Sequence, residues 1–420
     1  MITPREMAVL LSRIEEPLGQ FTFQYLPSGT NTWGRWVYSP GITPTYSSAC
    51  YGKDGETFLW STYDPVNSRG GIIEIDRNYN TTVLQQESRV RYNSPAYNHE
   101  TNKLIVCRRD EVANTYSIIQ LEGTKKTAEI TTVGGKSFGR VEQLVWDQVD
   151  KSRFWGADAT NHWIFLTDMT GAEHWSFGEY GVSGDDDTHL NKAETLLPKR
   201  MGHVDAILVG DYNNHRCLVI RINDKAIVQK LPFGYPWVHE AFLGQTALTM
   251  DDRYGGGALG VFIGEWFSPN CMSYFWTSGF NTCDVHPVDP FLMVMDRFEG
   301  FVERRMAAYQ ERVYTAHINL LKNTSASAGV PIYTHPIPDW YRSNKALFVK
   351  PTQAGTIDLE IPRFTEQYSF WDGTWETYLS DSLTADKLKA VVSSVPLGIF
   401  RMKITLDAAG VLNSWANLAP

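Results

Sequence analysis

A repeat of about 50 residues is the feature that most constrains the fold of this chain of 420 residues. Five apolar runs each end in an acidic residue, at Asp64, Asp110, Asp158, Asp211 and Glu265. Turn-forming residues and a second β-rich run follow each acid, and in several units an earlier strand pattern precedes it. One such unit cannot bury both of its faces alone, so the pattern predicts stacked copies.

Radial stacking of three- or four-stranded units at this period is typical of a β-propeller. The five units cover about residues 45–282, and we predict a sixth blade from residues 18–44. In that segment residues 21–25 and 35–38 have strand patterns, and a strand from elsewhere would complete the blade. The sequence therefore predicts an all-β fold with a six-bladed propeller over residues 1–283, after a short N-terminal helical lead-in.

The third and fourth units carry a more specific pattern. In each, an Asp is followed three residues later by an Asn-His dipeptide: Asp158 precedes His162 and Asp211 precedes His215 in this way. This pattern resembles the NHL repeat, and the resemblance implies a six-bladed propeller. It also implies a structural role for these Asp and His residues, because buried carboxylates and imidazoles must be hydrogen-bonded and such repeats use them to tie strands together.

The remainder of the chain has a different pattern. Residues 284–345 are predicted to be a connector, with a loop at 324–329 that is rich in small residues. Short strand patterns begin at residue 346 and recur to the end of the chain. Residues 346–420 are therefore predicted to form a small β-sandwich-like domain.

Acidic and His residues near the predicted propeller axis raise the alternative of a metal centre. Lactonases that use calcium and lyases that use zinc resemble this architecture and place such ligands on the axis. The candidates in this chain are Asp147, His203, Asp205, His239, Glu240 and Asp251. No His-x-His spacing concentrates ligands, so we predict no catalytic or cofactor-binding residue, and a Ca²⁺ or Zn²⁺ ion on the axis stays open. The acidic run at 184–187 lacks EF-hand spacing and is interpreted as a solvated loop.

Tryptophan residues offer a second kind of candidate site. The chain has 14 Trp, and most are expected in the blade cores. Two pairs lie in glycine-rich, turn-like contexts: Trp33 with Trp36, and Trp371 with Trp375. These four residues are predicted to be an exposed binding surface, with glycan as one alternative ligand.

Charge and targeting patterns exclude other classes. The formal net charge is -9 and no basic tract is present, which argues against nucleic-acid binding. No apolar run approaches the roughly 18 residues of a membrane span. The N-terminal apolar run at 7–11 is too short for a secretory signal, so we expect a virion or cytoplasmic location.

These patterns favour a non-enzymatic structural or interaction protein. We expect it to contact other protein subunits of an assembly, specifically a virus or phage particle in which it is a tail or spike component. Both termini are then expected to be held in place by that assembly. Two alternatives stay open: a metal-dependent propeller enzyme of lactonase or lyase type, and a glycan-binding module.

Overall fold

The structure is a computed structural model, and the statements below rest on the residues it describes. These are 35–36, 48–55, 57–64, 68–76, 80–201, 204–241, 245–250, 257–262, 271–277, 280–285, 291–296, 301–306, 316–338, 344–365, 370–393 and 399–419. The helical lead-in, both chain ends, Trp33, His203 and Asp251 lie outside these residues.

Six antiparallel groups of four strands make up the first part of the chain; five are separate sheets and the other, β16–β19, is part of a nine-stranded sheet. The strands are β1 (Arg35–Trp36), β2 (Ser48–Tyr51), β3 (Thr57–Asp64), β4 (Arg69–Asp76), β5 (Thr81–Ser88), β6 (Val90–Asn98), β7 (Lys103–Asp110), β8 (Thr115–Glu122), β9 (Lys125–Ile130), β10 (Thr132–Val133), β11 (Lys136–Ser137), β12 (Val141–Trp146), β13 (Arg153–Asp158), β14 (Trp163–Asp168), β15 (Trp175–Phe177), β16 (Ala193–Met201), β17 (Val204–Asp211), β18 (Arg216–Arg221), β19 (Ile227–Pro232), β20 (Pro236–Ala241), β21 (Gln245–Met250), β22 (Gly257–Phe262), β23 (Cys271–Thr277), β24 (Phe280–Val285), β25 (Phe291–Asp296) and β26 (Phe301–Met306). A short 3-10 turn at Lys53–Gly55 follows β2, and β10 pairs with β11 between the second and third sheets.

The six sheets form a closed ring. They are blade one (β2–β5), blade two (β6–β9), blade three (β12–β15), blade four (β16–β19), blade five (β20–β23) and blade six (β24–β26 with β1). The first strand of each blade lies against the first strand of the next, and β24 lies against β2. These inner strands therefore surround a common axis, and the predicted β-propeller with six blades is confirmed.

Blade six differs from its predicted composition. The prediction built it from residues 18–44, but the described part of that segment contributes only β1, which pairs with β26 through Arg35 and Glu303. The other three strands come from residues 280–306, most of which were predicted to be connector. The ring closes through pairing between segments that are far apart in the sequence. A pattern within one short segment does not indicate which distant segment it will pair with.

Aromatic residues fill the spaces within and between blades. Trp60, Trp155 and Trp163 are fully buried. One continuous apolar cluster joins blades two and three, and there Trp146 packs edge to face on Phe154 with ring centroids 5.9 Å apart. The described aromatic side chains of the propeller therefore serve largely to pack the blades.

Polar side chains tie the inner strands of neighbouring blades together. The Ser48 hydroxyl accepts a hydrogen bond from the Ser94 backbone N–H at 2.6 Å, which links blade one to blade two. Blades two and three are linked by Asn93 Nδ2, which donates to the Val141 carbonyl at 2.6 Å. Gln143 Oε1 accepts the Leu196 N–H at 2.7 Å and links blades three and four. The ring is therefore held by hydrogen bonds as well as by apolar packing.

Replacing Gln143 with alanine should lower the free energy of unfolding by about 1–2 kcal/mol, because the Leu196 N–H loses its acceptor at the blade interface. Urea denaturation followed by tryptophan fluorescence measures this change. Gln86 is exposed on β5, and Gln86→Ala is the matched control with an expected effect within about 0.5 kcal/mol. Equal effects of the two substitutions would contradict a tying role for Gln143.

The second part of the chain is a β-sandwich. Its strands are β27 (Ala316–Ala326), β28 (Ile332–Tyr333), β29 (Ile337–Pro338), β30 (Asn344–Pro351), β31 (Gly355–Thr365), β32 (Phe370–Leu383), β33 (Lys389–Ser393), β34 (Ile399–Leu406) and β35 (Gly410–Ala419). One sheet has the order β27-β35-β30-β33, and the other has the order β32-β31-β34-β28, with β29 also paired to β34. Both sheets contribute to one apolar core, for example through Leu347 and Met402, so the predicted sandwich is confirmed.

The sandwich begins earlier than the predicted boundary at residue 346. Strands β27, β28 and β29 precede that position, and β27 pairs with the last strand, β35, through Ala316 and Leu418. The segment at 316–326 contains many polar residues because one side of this edge strand faces away from the core. That composition does not resemble the apolar strands on which the boundary was based.

The two units are joined by a continuous sheet. Strand β19 of blade four pairs in parallel with β32 through Lys230 and Phe370. Close to this pair, the Gly234 N–H donates to the Pro336 carbonyl at 3.0 Å. A Cβ atom at Gly234 would lie 2.5 Å from both the Pro336 carbonyl oxygen and the His335 ring, so glycine is required for this close approach.

Candidate functional site

Asp158 is fully buried at the end of β13. Its carboxylate accepts backbone N–H groups from Gly139 at 2.8 Å and from Thr160 and Asn161 at 3.1 Å. The Asn161 side chain donates to it at 2.9 Å, and the indole N–H of Trp163 lies at 3.4 Å. These contacts tie the turn between β13 and β14 to the segment that enters the inner strand of the same blade.

Asp211 occupies the equivalent place in blade four. It accepts the Asn191 N–H, the Asn214 side-chain amide and Arg216 Nε, each at 2.7 Å. Arg216 stands five residues after the Asp, as Trp163 does in blade three, and it is also buried. Burial raises the pKa of Asp211, and the charge of Arg216 acts in the opposite direction. The result is a buried ion pair inside the blade.

The two histidines of the repeat link one blade to the next. His162 and His215 both have positive φ angles, 57° and 51°. His162 Nδ1 accepts the Lys192 N–H at 2.9 Å, and His215 Nδ1 accepts the Tyr235 N–H at 3.4 Å. Both donors directly precede the inner strand of the following blade. Burial lowers the pKa of both rings, that of His215 to about 4, so each ring is a neutral acceptor at neutral pH.

A second histidine approaches from the sandwich at the same place. The Tyr235 ring lies 4.3 Å from the His215 ring and 5.4 Å from the His335 ring, centroid to centroid. Burial lowers the pKa of His335 to about 3, and the nearby His215 acts in the same direction. The junction between the two units therefore holds two neutral imidazoles around one tyrosine.

Charged side chains gather where the inner strands of blades two, three and four begin. They are Arg91, Arg109, Glu111, Arg140, Glu142, Lys192 and Glu194. Glu111 pairs with Arg91 at 2.8 Å and with Arg109 at 3.3 Å. The buried Glu194 pairs with Lys192 at 2.7 Å and with Arg140 at 3.3 Å, and Arg140 also contacts Glu142. Because each described charge has an opposite neighbour, this end of the ring carries compensated ion pairs.

The described metal-ligand candidates do not form a cluster. Asp147 follows β12 and accepts the Asp150 N–H at 3.2 Å and Trp155 Nε1 at 3.3 Å. Asp205 is exposed on β17, a second strand of a blade. His239 and Glu240 lie in β20, and only the backbone of these two residues is described. Within the described residues, no group of three or more His, Cys, Asp or Glu is arranged to hold a metal ion.

The acidic loop at 184–187 is organised by its own hydrogen bonds. Asp186 accepts the Thr188 N–H at 2.7 Å and pairs with His189 Nδ1 at 2.8 Å, and His189 Nε2 lies 3.1 Å from Glu179. The hydrogen bonds from Thr188 and His189 lower the pKa of Asp186, and Asp186 and Glu179 raise that of His189. Asp186 therefore caps the loop in which it lies.

Trp371 and Trp375 lie together on β32. Their rings are 5.6 Å apart at 70°, and Trp371 Nε1 donates to the Thr374 carbonyl at 2.8 Å. The Arg401 guanidinium lies over Trp375 at 4.3 Å and over Tyr333 at 4.2 Å. One face of Trp375 is thus covered by a cation, and the two indoles contact each other. Trp36 lies in β1, and its side chain is outside the described part of the structure.

The sequence did not predict the ion pair of Asp211, although a charged residue directly after the Asn-His dipeptide was visible at Arg216. Strand β33 and its neighbour β32 carry several of the exposed apolar side chains of the sandwich.

Exposed large apolar residues are concentrated on the sandwich. The described residues include eleven of them, Val83, Val112, Val149, Val182, Val330, Tyr333, Tyr378, Leu379, Leu388, Val392 and Val411. The last seven belong to the sandwich, which is the smaller unit, and four of these seven fall within residues 378–392. Contiguous exposed apolar surface is typical of protein interaction sites, whereas single exposed residues are ordinary.

Comparison with known proteins finds only distant structural similarity. No protein-family model matches the chain, and no curated protein matches it. The β-propeller domain of Cps50 (Swd1) from Myceliophteria thermophila is 12% identical, with a TM-score of 0.44 over 65% of this chain and 99% of that chain. Hydrazine synthase from Kuenenia stuttgartiensis is 12% identical, with a TM-score of 0.43 over 64% and 78% of the two chains. A chain of a nidogen/laminin complex is 12% identical, with a TM-score of 0.41 over 56% and 80%. Similarity at this distance bears on neither activity nor partner.

In the described residues no helix has the length and apolar character to cross a membrane.

Proposed function

We propose that this chain is a non-enzymatic structural and interaction protein, a subunit of a larger protein assembly. The specific assembly we propose is a virus or phage particle, with the chain in its tail or spike. The observation that carries the proposal is the concentration of exposed apolar side chains on the sandwich, the unit attached to the outer edge of blade four.

The propeller suits the role of a rigid support. We infer that its blades are related to NHL repeats, because Asp158 and Asp211 make equivalent contacts and His162 and His215 make equivalent links to the next blade. The polar groups that give the repeat its signature are used to hold strands and blades. The sheet that continues from β19 into β32 transmits this rigidity to the sandwich.

The native complex tests the proposal. The chain is recovered from its source by gentle lysis and gradient sedimentation, and the fractions that contain it are analysed by mass spectrometry and negative-stain microscopy. We expect the chain in a particle much heavier than 47.6 kDa, in constant ratio to other proteins. Recovery as a lone monomer would contradict the proposal, as would one tightly bound metal ion per chain together with hydrolase or lyase turnover.

A further inference from the structure

Two short segments form the junction between the propeller and the sandwich. One is the entry loop, residues 233–235, which leads from blade four into blade five. The other is the strap, residues 332–338, which contains β28 and β29 of the sandwich and pairs with β34. The Gly234 N–H donates to the Pro336 carbonyl at 3.0 Å, so the backbones of the two segments are in direct contact.

Each unit contributes one histidine to this contact. His335 belongs to the strap and is buried, and His215 belongs to the turn between β17 and β18 and is half-buried. The Tyr235 ring of the entry loop contacts both rings, with centroid distances of 4.3 Å to His215 and 5.4 Å to His335. His215 also holds the entry loop, because its Nδ1 accepts the Tyr235 N–H at 3.4 Å and its carbonyl accepts the Phe233 N–H at 2.7 Å.

This packing requires neutral imidazole rings. A neutral His215 presents a lone pair at Nδ1 to the Tyr235 N–H, whereas a protonated ring would present a second N–H there and lose the hydrogen bond. A proton on His335 would place a cation in a buried site close to His215. Burial lowers the pKa of His335 to about 3 and that of His215 to about 4, and His215 adds to the effect at His335.

The charged groups on the propeller side do not offset these protons. Tyr212 packs on Tyr235 with ring centroids 4.9 Å apart, and the Lys192 ammonium lies 4.1 Å from the centre of the Tyr212 ring. Lys192 in turn pairs with Glu194 at 2.7 Å. The group that approaches this side of the junction is therefore a cation, and its carboxylate partner is already engaged.

Two further ion pairs lie near the histidines in sequence. Arg216 directly follows the propeller histidine and pairs with Asp211 at 2.7 Å. In the strap, Tyr333 lies two positions before the histidine, and the Arg401 guanidinium covers its ring at 4.2 Å while it pairs with Glu360 at 2.7 Å. Among the described residues, no carboxylate raises the pKa of either histidine.

The described backbone pairing across the junction is short. Strand β19 pairs with β32 at one position, Lys230 with Phe370, and the Lys230 ammonium pairs with Asp187 of the propeller at 2.9 Å. The apolar core of the sandwich, which includes Leu347 and Met402, contains no described residue of the propeller. Each unit has its own core, so each can stay folded when the junction opens.

We propose that this junction is an acid-sensitive joint, in which protonation of His215 and His335 separates the strap from the entry loop and releases the sandwich from the propeller while both units stay folded. At neutral pH the joint is closed and the sandwich has one orientation on the propeller. In acid the sandwich reorients, and the chain between residues 306 and 316 keeps the two units connected. The inference goes beyond the proposed assembly role and does not depend on it.

The sign and size of the effect follow from the two histidines. Each has a lower pKa in the closed joint than the ordinary value of 6.5, so the closed joint is favoured above about pH 6.5 and loses this advantage as the pH falls. Between pH 7 and pH 5, each histidine is expected to shift the equilibrium toward the open joint by about 20-fold, and the two together by about 500-fold. By pH 4 the combined shift exceeds roughly 10⁴-fold.

Small-angle X-ray scattering of the purified full chain from pH 7 to pH 4 tests the joint. We expect the radius of gyration and the maximum dimension to increase reversibly between about pH 5 and pH 4, while far-UV circular dichroism shows that the sheets are retained. His215→Gln combined with His335→Gln should stay compact, because glutamine keeps an acceptor oxygen and gains no proton. His189 lies outside the junction, and His189→Gln is the matched control that should expand as the parent chain does.

A crosslink provides a second measurement. Lys230→Cys with Phe370→Cys places cysteines at the paired positions of β19 and β32, and the disulfide should keep the chain compact in acid until it is reduced. Expansion of the oxidised crosslinked chain would overturn the proposal. So would unchanged dimensions of the folded parent chain down to pH 4, or an expansion that coincides with loss of the sheets.

The single variant His335→Gln decides the case in which the double variant is already expanded at pH 7. Its shift toward the open joint between pH 7 and pH 5 should fall from about 500-fold to about 20-fold, because only His215 still gains a proton. An undiminished shift in this variant would overturn the proposal.

Discussion

Replacing Asp211 with alanine is expected to lower the free energy of unfolding by about 3–5 kcal/mol, since it leaves the Arg216 guanidinium buried without its carboxylate. The remaining hydrogen-bond acceptors of Arg216 are the backbone carbonyls of Asp185, Asp186 and His189, and the nearest other carboxylate is that of the exposed Asp187, at 4.0 Å. The Asn191 N–H and the Asn214 amide lose an acceptor as well. Chemical denaturation at pH 7 measures the loss.

The matched control is an exposed ion pair in the same blade. Asp224 pairs with Arg221 at 2.8 Å, and both side chains are well exposed. Asp224→Ala is expected to leave the free energy of unfolding almost unchanged, because an ion pair exposed to water contributes little. If Asp211→Ala cost as little as Asp224→Ala, the carboxylate would not be a structural tie of the blade. The double variant Asp211→Ala with Arg216→Met should recover part of the loss, because it removes the uncompensated charge.

Acidification from pH 7 to pH 5 is expected to lower the free energy of unfolding by about 3–4 kcal/mol through His215 and His335 together. Both folded-state pKa values, about 4 and about 3, lie below the ordinary value of 6.5. The unfolded chain therefore binds protons below pH 6.5 that the folded chain does not bind. The contribution is present above about pH 6.5 and is lost progressively as the pH falls through the folded-state pKa values of about 4 and about 3.

Glutamine substitutions separate these histidines from other titrating groups. The combination of His215→Gln and His335→Gln should remove most of the pH dependence between pH 7 and pH 5, as measured by urea midpoints. His189→Gln should leave that loss in place, since the exposed His189 has its pKa raised by Asp186 and titrates with the opposite sign. An unchanged pH dependence in the double glutamine variant would show that the junction histidines do not control it.

The blades could be predicted because the residues that identify each blade lie close together in the sequence. In the first four units the predicted acid ends the second strand of its blade, as Asp110 does in β7. The fifth, Glu265, lies outside the described residues, and the apolar run before it belongs to β22, the third strand of blade five. The Asp and Asn-His spacing also identified the two buried carboxylates of blades three and four. These features depend on residues a few positions apart, and a sequence pattern records such distances directly.

Long-range pairing could not be predicted in the same way. The pairing of Arg35 with Glu303 closes the ring, and that of Ala316 with Leu418 places β27 in the sandwich. Neither segment has a strongly apolar pattern, since each lies at an edge of its sheet. The same limit applies to Arg216, whose burial depends on carbonyls contributed by a separate loop.

Hydrogen exchange of the chain in its native particle, compared with the purified chain at low concentration, tests the central claim most directly. If the sandwich is the interaction unit, amides of residues 370–393 should gain protection in the particle, and those of the inner strands β6, β12 and β16 should not change. Equal exchange of the sandwich in both states, with new protection confined to the propeller, would contradict the account.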